Sequence, residues 1–198
     1  MVDPAYIDPK TGILRNKLGI TTQEELSRVE SVLVAGRTTE LSAKPIKGNF
    51  DLKHLQTIHK HQFQDVYEWA GKIRTVNISK GNSPFARVDF IEPFMKDVHR
   101  RLEKENFLQG LEKKAFVEKF TDVYGDINAA HPFREGNGRS TREFMVQLAK
   151  QAGYILDQSV IQNNKKVWNK ASEQSVHGQM EPLKAILNDA IQPIRREH

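Results

Sequence analysis

Apolar residues recur at spacings of three and four along most of this chain, and only residues 73–91 alternate instead. That pattern predicts a mainly α fold with one small β-hairpin. Thr21 and Glu24 read as a capping box ahead of Leu26, Val29, Val32 and Leu33, which predicts a helix over about 22–36. Asp51 caps a second helix through Leu55, Ile58, Phe63, Val66 and Trp69, with Gly71 as its stop. Ile73–Ile78 and Ala86–Ile91 read as hairpin arms. Helical spacing returns after Glu92-Pro93, breaks over Asn106 to Gly110, runs on to Ala129-Ala130, resumes near Arg139, stops at Gly153 and recurs around Val167-Trp168 and over 183–194. Ahead of all this, Asp3-Pro4 and Asp8-Pro9 make residues 1–20 an extended lead-in.

The 198 residues match one domain with decorations, taken as 1–198, since a domain commonly has about 150. With 38% hydrophobic and 28% charged residues the chain is too apolar for disorder and too charged for a membrane protein. Neither an apolar run of membrane length nor a signal-peptide start is found. Cysteine is absent, which removes disulfides, thiolate metal sites and cysteine nucleophiles and points to the reducing cytoplasm. A net charge of +5 favours anionic partners without choosing among them.

The stretch from His131 to Arg142 concentrates the chemistry. Pro132 disfavours helix at His131, so a loop runs into the next helix N-terminus. Gly136-Asn137-Gly138 can turn backbone N–H groups into one concavity at the positive end of a helix dipole, which makes an anion nest. Arg139 and Arg142 share one face of the first turn, where an anion between them offsets their conflict with the dipole. Glu135 suits a hard divalent ion bridging phosphate oxygens, and His131 suits proton transfer near neutral pH. A Gly-Asn-Gly turn alone is an ordinary helix connection; base, carboxylate, nest and two arginines within twelve residues point to a metal–phosphate site.

These residues resemble the Fic family signature, H-P-F-x-[D/E]-G-N-G-R-x-x-R, and match all nine fixed positions. Leu55-x-x-Ile58-His59 through Tyr67-x-Trp69-Ala70-Gly71-x-x-Arg74 resembles the family's helix leading to its flap, and residues 11–20 resemble the opening of FicT-type bacterial toxins. Fic domains of type IV secretion effectors are similar too. The resemblance implies a Fic fold and a protein adenylyltransferase, which moves AMP from ATP to a Tyr, Thr or Ser hydroxyl of a target and releases pyrophosphate. Under it, His131 is the general base and Glu135 holds Mg²⁺. Asn137 and the backbone of Gly136 and Gly138 receive the α- and β-phosphates; Arg139 steadies the nest and β-phosphate, Arg142 the γ-phosphate, and Phe133 anchors the loop. The hairpin becomes a flap, with Val76, Asn77, Ile78, Ser79, Lys80 and Gly81 docking an extended target segment by strand addition. Trp168 falls where relatives often carry an aromatic near the adenosine, and Ser175 where they carry a small polar residue; core packing competes for both.

Many Fic proteins carry an inhibitory [S/T]-x-x-x-E-[G/N] helix whose Glu meets the second arginine, here Arg142. Glu135-Gly136 has His131 four positions ahead and Glu105-Asn106 has Arg101, so neither fits. The resemblance then implies a toxin that needs a small antitoxin in trans. It points also to the ATPase subunits of type IIA topoisomerases as a target class, and to a bacterial cytoplasmic site, or a recipient cell if the domain belongs to a longer effector. Relatives that transfer the γ-phosphate carry Lys for the second Gly and often Ala for the first, so Gly136 and Gly138 favour AMP transfer over phosphotransfer. A nucleic-acid binder would use the scattered Lys165-Lys166 and Arg195-Arg196, which match no recognition motif. A metal hydrolase would need His131 with Glu135, or His54, His59 and His61, but His59 and His61 point about 200° apart on a helix.

Overall fold

Helices dominate, as the apolar spacing predicts. A computed structural model describes residues 3–194. In chain order these form α1 (Gln23–Ala43), α2 (Leu52–Phe63), β1 (Ser79–Lys80), β2 (Ser83–Pro84), α3 (Val88–Lys104), a 3₁₀ turn (Asn106–Leu108), α4 (Lys113–Ala130), α5 (Asn137–Gln151), β3 (Tyr154–Leu156), α6 (Gln158–Asn163), α7 (Lys165–Val176), α8 (Glu181–Ala190) and β4 (Ile191–Pro193).

Helix α4 is the central element, in contact with α3, α5, α7 and α8. Its Phe116, Phe120 and Ile127 are fully buried, each contributing roughly 1.5–3 kcal/mol on leaving water. A smaller apolar cluster joins Tyr6, Ile13 and Leu14 of the lead-in to Leu26 and Val34 of α1, to Phe63 at the end of α2 and to Tyr67 and Trp69 after it. Helix α2 packs on α1, α5 and α3, so the loop 131–136 that links α4 to α5 lies where Phe133 can stack on His59 of α2.

Several expectations need correction. The lead-in is a clasped turn, with Ile7 bridging Leu14 and Asp3 bonded to Arg134 at 2.7 Å. Helix α1 runs to Ala43, past the expected 36, and its N-cap is Thr22 without a side-chain cap bond, so the Thr21 capping box does not form. Asp51 does cap α2, accepting from the His54 N–H at 2.8 Å, but the helix stops at Phe63 and residues 64–71 make turns. Tertiary packing of Val66, Tyr67 and Trp69 against the lead-in replaces the last helical turns.

The hairpin is far shorter than the alternating pattern predicts. Ser79 pairs with Pro84 and Lys80 with Ser83, and nothing beyond them is strand. Residues 88–91 instead open α3, where Asn77 Oδ1 accepts the Val88 N–H at 3.0 Å and Pro93 lies inside the helix. A six-residue alternation cannot outweigh a side chain that caps the competing helix. The sequence reading also missed a second antiparallel pair, in which β3 and β4 join Leu156 to Ile191. Residues 191–193 are therefore strand where helix is expected, while Arg195-Arg196 lies outside the described residues.

Candidate active site

The loop between α4 and α5 is built by its own side chains. Helix α4 ends on His131, whose left-handed backbone (φ 45°) turns the chain out of the helix. Phe133 is fully buried and stacks on His59 at 3.9 Å. Asn137 then closes the loop: its Oδ1 accepts the Phe133 N–H at 2.8 Å and its Nδ2 donates to the Phe133 carbonyl at 2.7 Å. One acceptor bond and one donor bond of this buried amide thus go to the loop, which the Asn137 side chain shapes.

Gly136 is the only member of Gly136-Asn137-Gly138 with positive φ (81°); Asn137 and Gly138 are already the first residues of α5. The nest is thus one left-handed glycine feeding a helix N-terminus, whose unpaired N–H groups face the loop. A Cβ on Gly136 would overlap the Phe63 ring. One on Gly138 would lie 3.8 Å from Arg142 Nη1, so backbone and guanidinium border the same space.

The two arginines differ. Arg142 makes no hydrogen bond or ion pair with any described residue, although burial pushes its guanidinium pKa down. A shielded cation without a partner is the arrangement an incoming anion completes. Arg139 reaches across to α1, where its Nη2 lies 2.5 Å from Glu30 Oε1, and it is 3.5 Å from Glu135 Oε1. Both arginines line a groove of about 440 Å³ bounded by α1, α5 and α6, with Gln62 and Glu143 on its wall.

His131 faces another recess, of about 50 Å³, beneath the flap. Its Nδ1 lies 3.1 Å from the Asn128 carbonyl, to which it must donate, so Nε2 is left as an acceptor. Phe85 lies flat on the imidazole at 3.6 Å, and burial lowers the His131 pKa to about 4, so the ring is neutral at pH 7.

Glu135 is half-exposed, and one of its oxygens accepts the Gly136 N–H at 2.9 Å. The donor chemistry fits Mg²⁺, since a hard ion is commonly held by one carboxylate with substrate phosphates completing its shell. Among the described residues no three His, Cys, Asp or Glu side chains cluster for a metal. His54, His59 and His61 diverge to Gln147, the Glu135 carbonyl and Glu40, which disposes of the histidine-cluster hydrolase.

Of the flap residues, Val76 offers its carbonyl to Arg74, Asn77 caps α3, Ile78 accepts from the Phe85 N–H, and Ser79 and Lys80 form the exposed strand before Gly81 (φ 57°) turns. Trp168 is buried edge-on against Tyr124 at 5.0 Å, and Ser175 donates to the Ser172 carbonyl at 2.7 Å and accepts from Asn128 at 3.2 Å. Both sit in the packing of α7 on α4, the competing reading.

Four functional side chains escaped the sequence reading. Buried Arg74 donates to the carbonyls of His131, Val76, Ala86 and Ala130, tying both flap arms to the loop. His59 receives the Gly71 N–H at Nδ1 and donates from Nε2 to the Glu135 carbonyl at 2.9 Å. Phe85 covers His131, and Glu30 meets Arg139. The loop's own pattern carries no trace of them; only the spacing of His59 and Arg74 from it, within the family resemblance, offered a signal.

Fold, loop and flap together define a helical domain in which the N-terminus of α5 lies beside a loop that carries a buried, neutral histidine. The chain belongs to the Fic/DOC family, whose model matches residues 49–149. It is 44% identical over 185 residues to protein adenylyltransferase VbhT of Bartonella schoenbuchensis, covering 93% of this chain and 38% of that protein. To the Escherichia coli protein named "Probable protein adenylyltransferase Fic" it is 37% identical, over 96% of this chain and 92% of the relative. Among solved structures, the N-terminal Fic domain of a VirB-translocated Bep effector protein from Bartonella quintana, with bound ADP, superposes with a TM-score of 0.92 at 31% identity, covering 98% of each chain.

Proposed function

We propose that this protein transfers AMP from ATP to a Tyr, Thr or Ser hydroxyl of a target protein. The observation that carries the reading is the helix N-terminus at Gly136–Gly138, flanked by the partnerless cation of Arg142 and by a neutral histidine with a free acceptor nitrogen. Names of the relatives support the same activity, and ADP in the Bartonella quintana domain supports an adenine nucleotide as ligand.

In this reading the α5 N–H groups and Arg139 hold the α- and β-phosphates and Arg142 holds the γ-phosphate. The target oxygen attacks the α-phosphorus, its proton passes to His131 Nε2, and the bond to the bridging oxygen breaks, so pyrophosphate leaves with that electron pair. Glu135 would hold Mg²⁺, which would supply charge neutralisation to the phosphates. Neutral His131 can accept the proton without first losing one. The short flap presents the outer edge of Ser79-Lys80 for an extended target segment. Trp168 and Ser175 would shape the adenosine end only through the packing of α7. Residues 1–198 are read as a single Fic domain.

The finer reading is a bacterial toxin whose antitoxin supplies a glutamate to Arg142, with type IIA topoisomerase ATPase subunits as target class. It acts in the cytoplasm, or in a recipient cell as part of a longer effector; among the described residues no helix is long and apolar enough to cross a membrane. The test is incubation with Mg²⁺, bacterial lysate and ATP labelled at the α- or γ-phosphate. Label from the α-position should appear on a protein band and vanish with His131→Ala; label from the γ-position alone would mean phosphotransfer and overturn the assignment. Expression should arrest growth, with His131→Ala relieving it, and harmless expression would remove the toxin role.

A further inference from the structure

Arg139 is held from outside the loop. Glu30, on α1 and 109 residues away in sequence, has a side chain only 10% exposed and meets Arg139 Nη2 at 2.5 Å. Its other oxygen accepts the Tyr67 hydroxyl proton, and burial together with this carboxylate raises the Tyr67 pKa, so the phenol stays a donor. The Phe63 ring lies 4.7 Å beneath the Arg139 guanidinium. That guanidinium is thereby fixed by a carboxylate at one nitrogen and a ring on one face, while Nε and Nη1 are bonded to no described residue.

Glu135 is also 3.5 Å from the same Nη2, but it is half-exposed and tied to the loop it belongs to. A buried carboxylate clamped by a phenol is a firmer hold than a half-exposed neighbour, because less of its charge is screened and fewer rotamers remain. We propose that Glu30, with Tyr67 behind it, is a positioning residue that aims Arg139 at the anion loop and so sets nucleotide affinity. This rests on the nucleotide-site reading above. It makes α1, which lies outside the residues matched by the family model, part of the nucleotide site.

The experiment is calorimetric titration of the full chain with ADP and the non-hydrolysable ATP analogue AMPPNP, with Mg²⁺, for wild type, Glu30→Gln, Arg139→Ala and the double variant. Glu30→Gln should weaken binding roughly tenfold, the range of a single positioned charge-assisted contact. In the AMP-transfer assay it should raise KM for ATP with little change in kcat. In the Arg139→Ala background the same substitution should have no further effect, since Glu30 acts only through that side chain. Unchanged or tighter binding by Glu30→Gln overturns the proposal, tighter binding meaning that Glu30 competes with the phosphates. An equal loss in both backgrounds also overturns it, because that is general damage to α1. If Glu30→Gln does not fold, Tyr67→Phe, which frees the far oxygen of Glu30, should weaken binding severalfold, and binding equal to wild type overturns the proposal. Failure of the wild type to bind either nucleotide would instead remove the site reading itself.

Discussion

Gly136 carries two demands at once: a positive φ that places the following N–H groups at the loop, and absence of a Cβ where the Phe63 ring packs. Gly136→Ala therefore combines backbone strain with overpacking, each about 1–3 kcal/mol. Urea unfolding should show a loss of about 2–6 kcal/mol, and AMPPNP binding should fall with it. A variant as stable as wild type would mean the Phe63 ring swings aside and the contact is not a constraint. That a turn at these glycines leads into a helix was legible in the sequence, because Pro132 and Gly136 break the helical pattern that resumes near Arg139. That one glycine bends while its neighbours are helical was not, since the difference is set by Phe63, 73 positions earlier.

At the scale of elements, the flap depends on Arg74 more than on its own strand pairs. Two cross-strand pairs cannot hold a hairpin in water. Arg74 is 1% exposed and binds carbonyls on both sides of the flap and at the α4 C-terminus, while the Arg74 N–H and Ala86 N–H bond Pro132 and Ala129. Arg74→Met should leave several buried carbonyls unpaired and destabilise the protein by about 3–5 kcal/mol. Hydrogen exchange should rise first at residues 76–86; uniform exchange across α4 and the flap would show that Arg74 supports the whole core and not the flap. Alternation over 73–78 and 86–91 gave the flap its place but not its extent, because carbonyl partners supplied by a buried arginine leave no period in the sequence.

Across the whole molecule, acid sensitivity follows from histidines buried as neutral rings. Burial lowers the pKa of His59 and of His131 to about 4, and that of His54 also falls. The unfolded chain, with histidines near 6.5, binds more protons between those values. Stability is therefore full above about pH 6.5 and is lost as pH falls towards 4, by up to about 3 kcal/mol for His59. Glu143, whose carboxyl burial pushes up, works in the opposite direction over part of that range. Urea midpoints at pH 7.5, 6 and 5 should fall in that order, and a midpoint that does not move would mean the rings are protonated in the fold.

The sequence by itself determined the helical class, the placement of the loop and the chemistry clustered in it, because helical periodicity and residue type are local properties. It also determined that Phe133 turns inward, since an apolar ring in a polar loop has nowhere else to go. Only the tertiary structure decided which partners complete the site. Asn137 spends its amide on the loop, Trp168 and Ser175 pack α7 on α4, and Glu30 arrives on α1 to hold Arg139. These are contacts between residues far apart in the chain, fixed by how the helices pack around α4, and no local pattern encodes them.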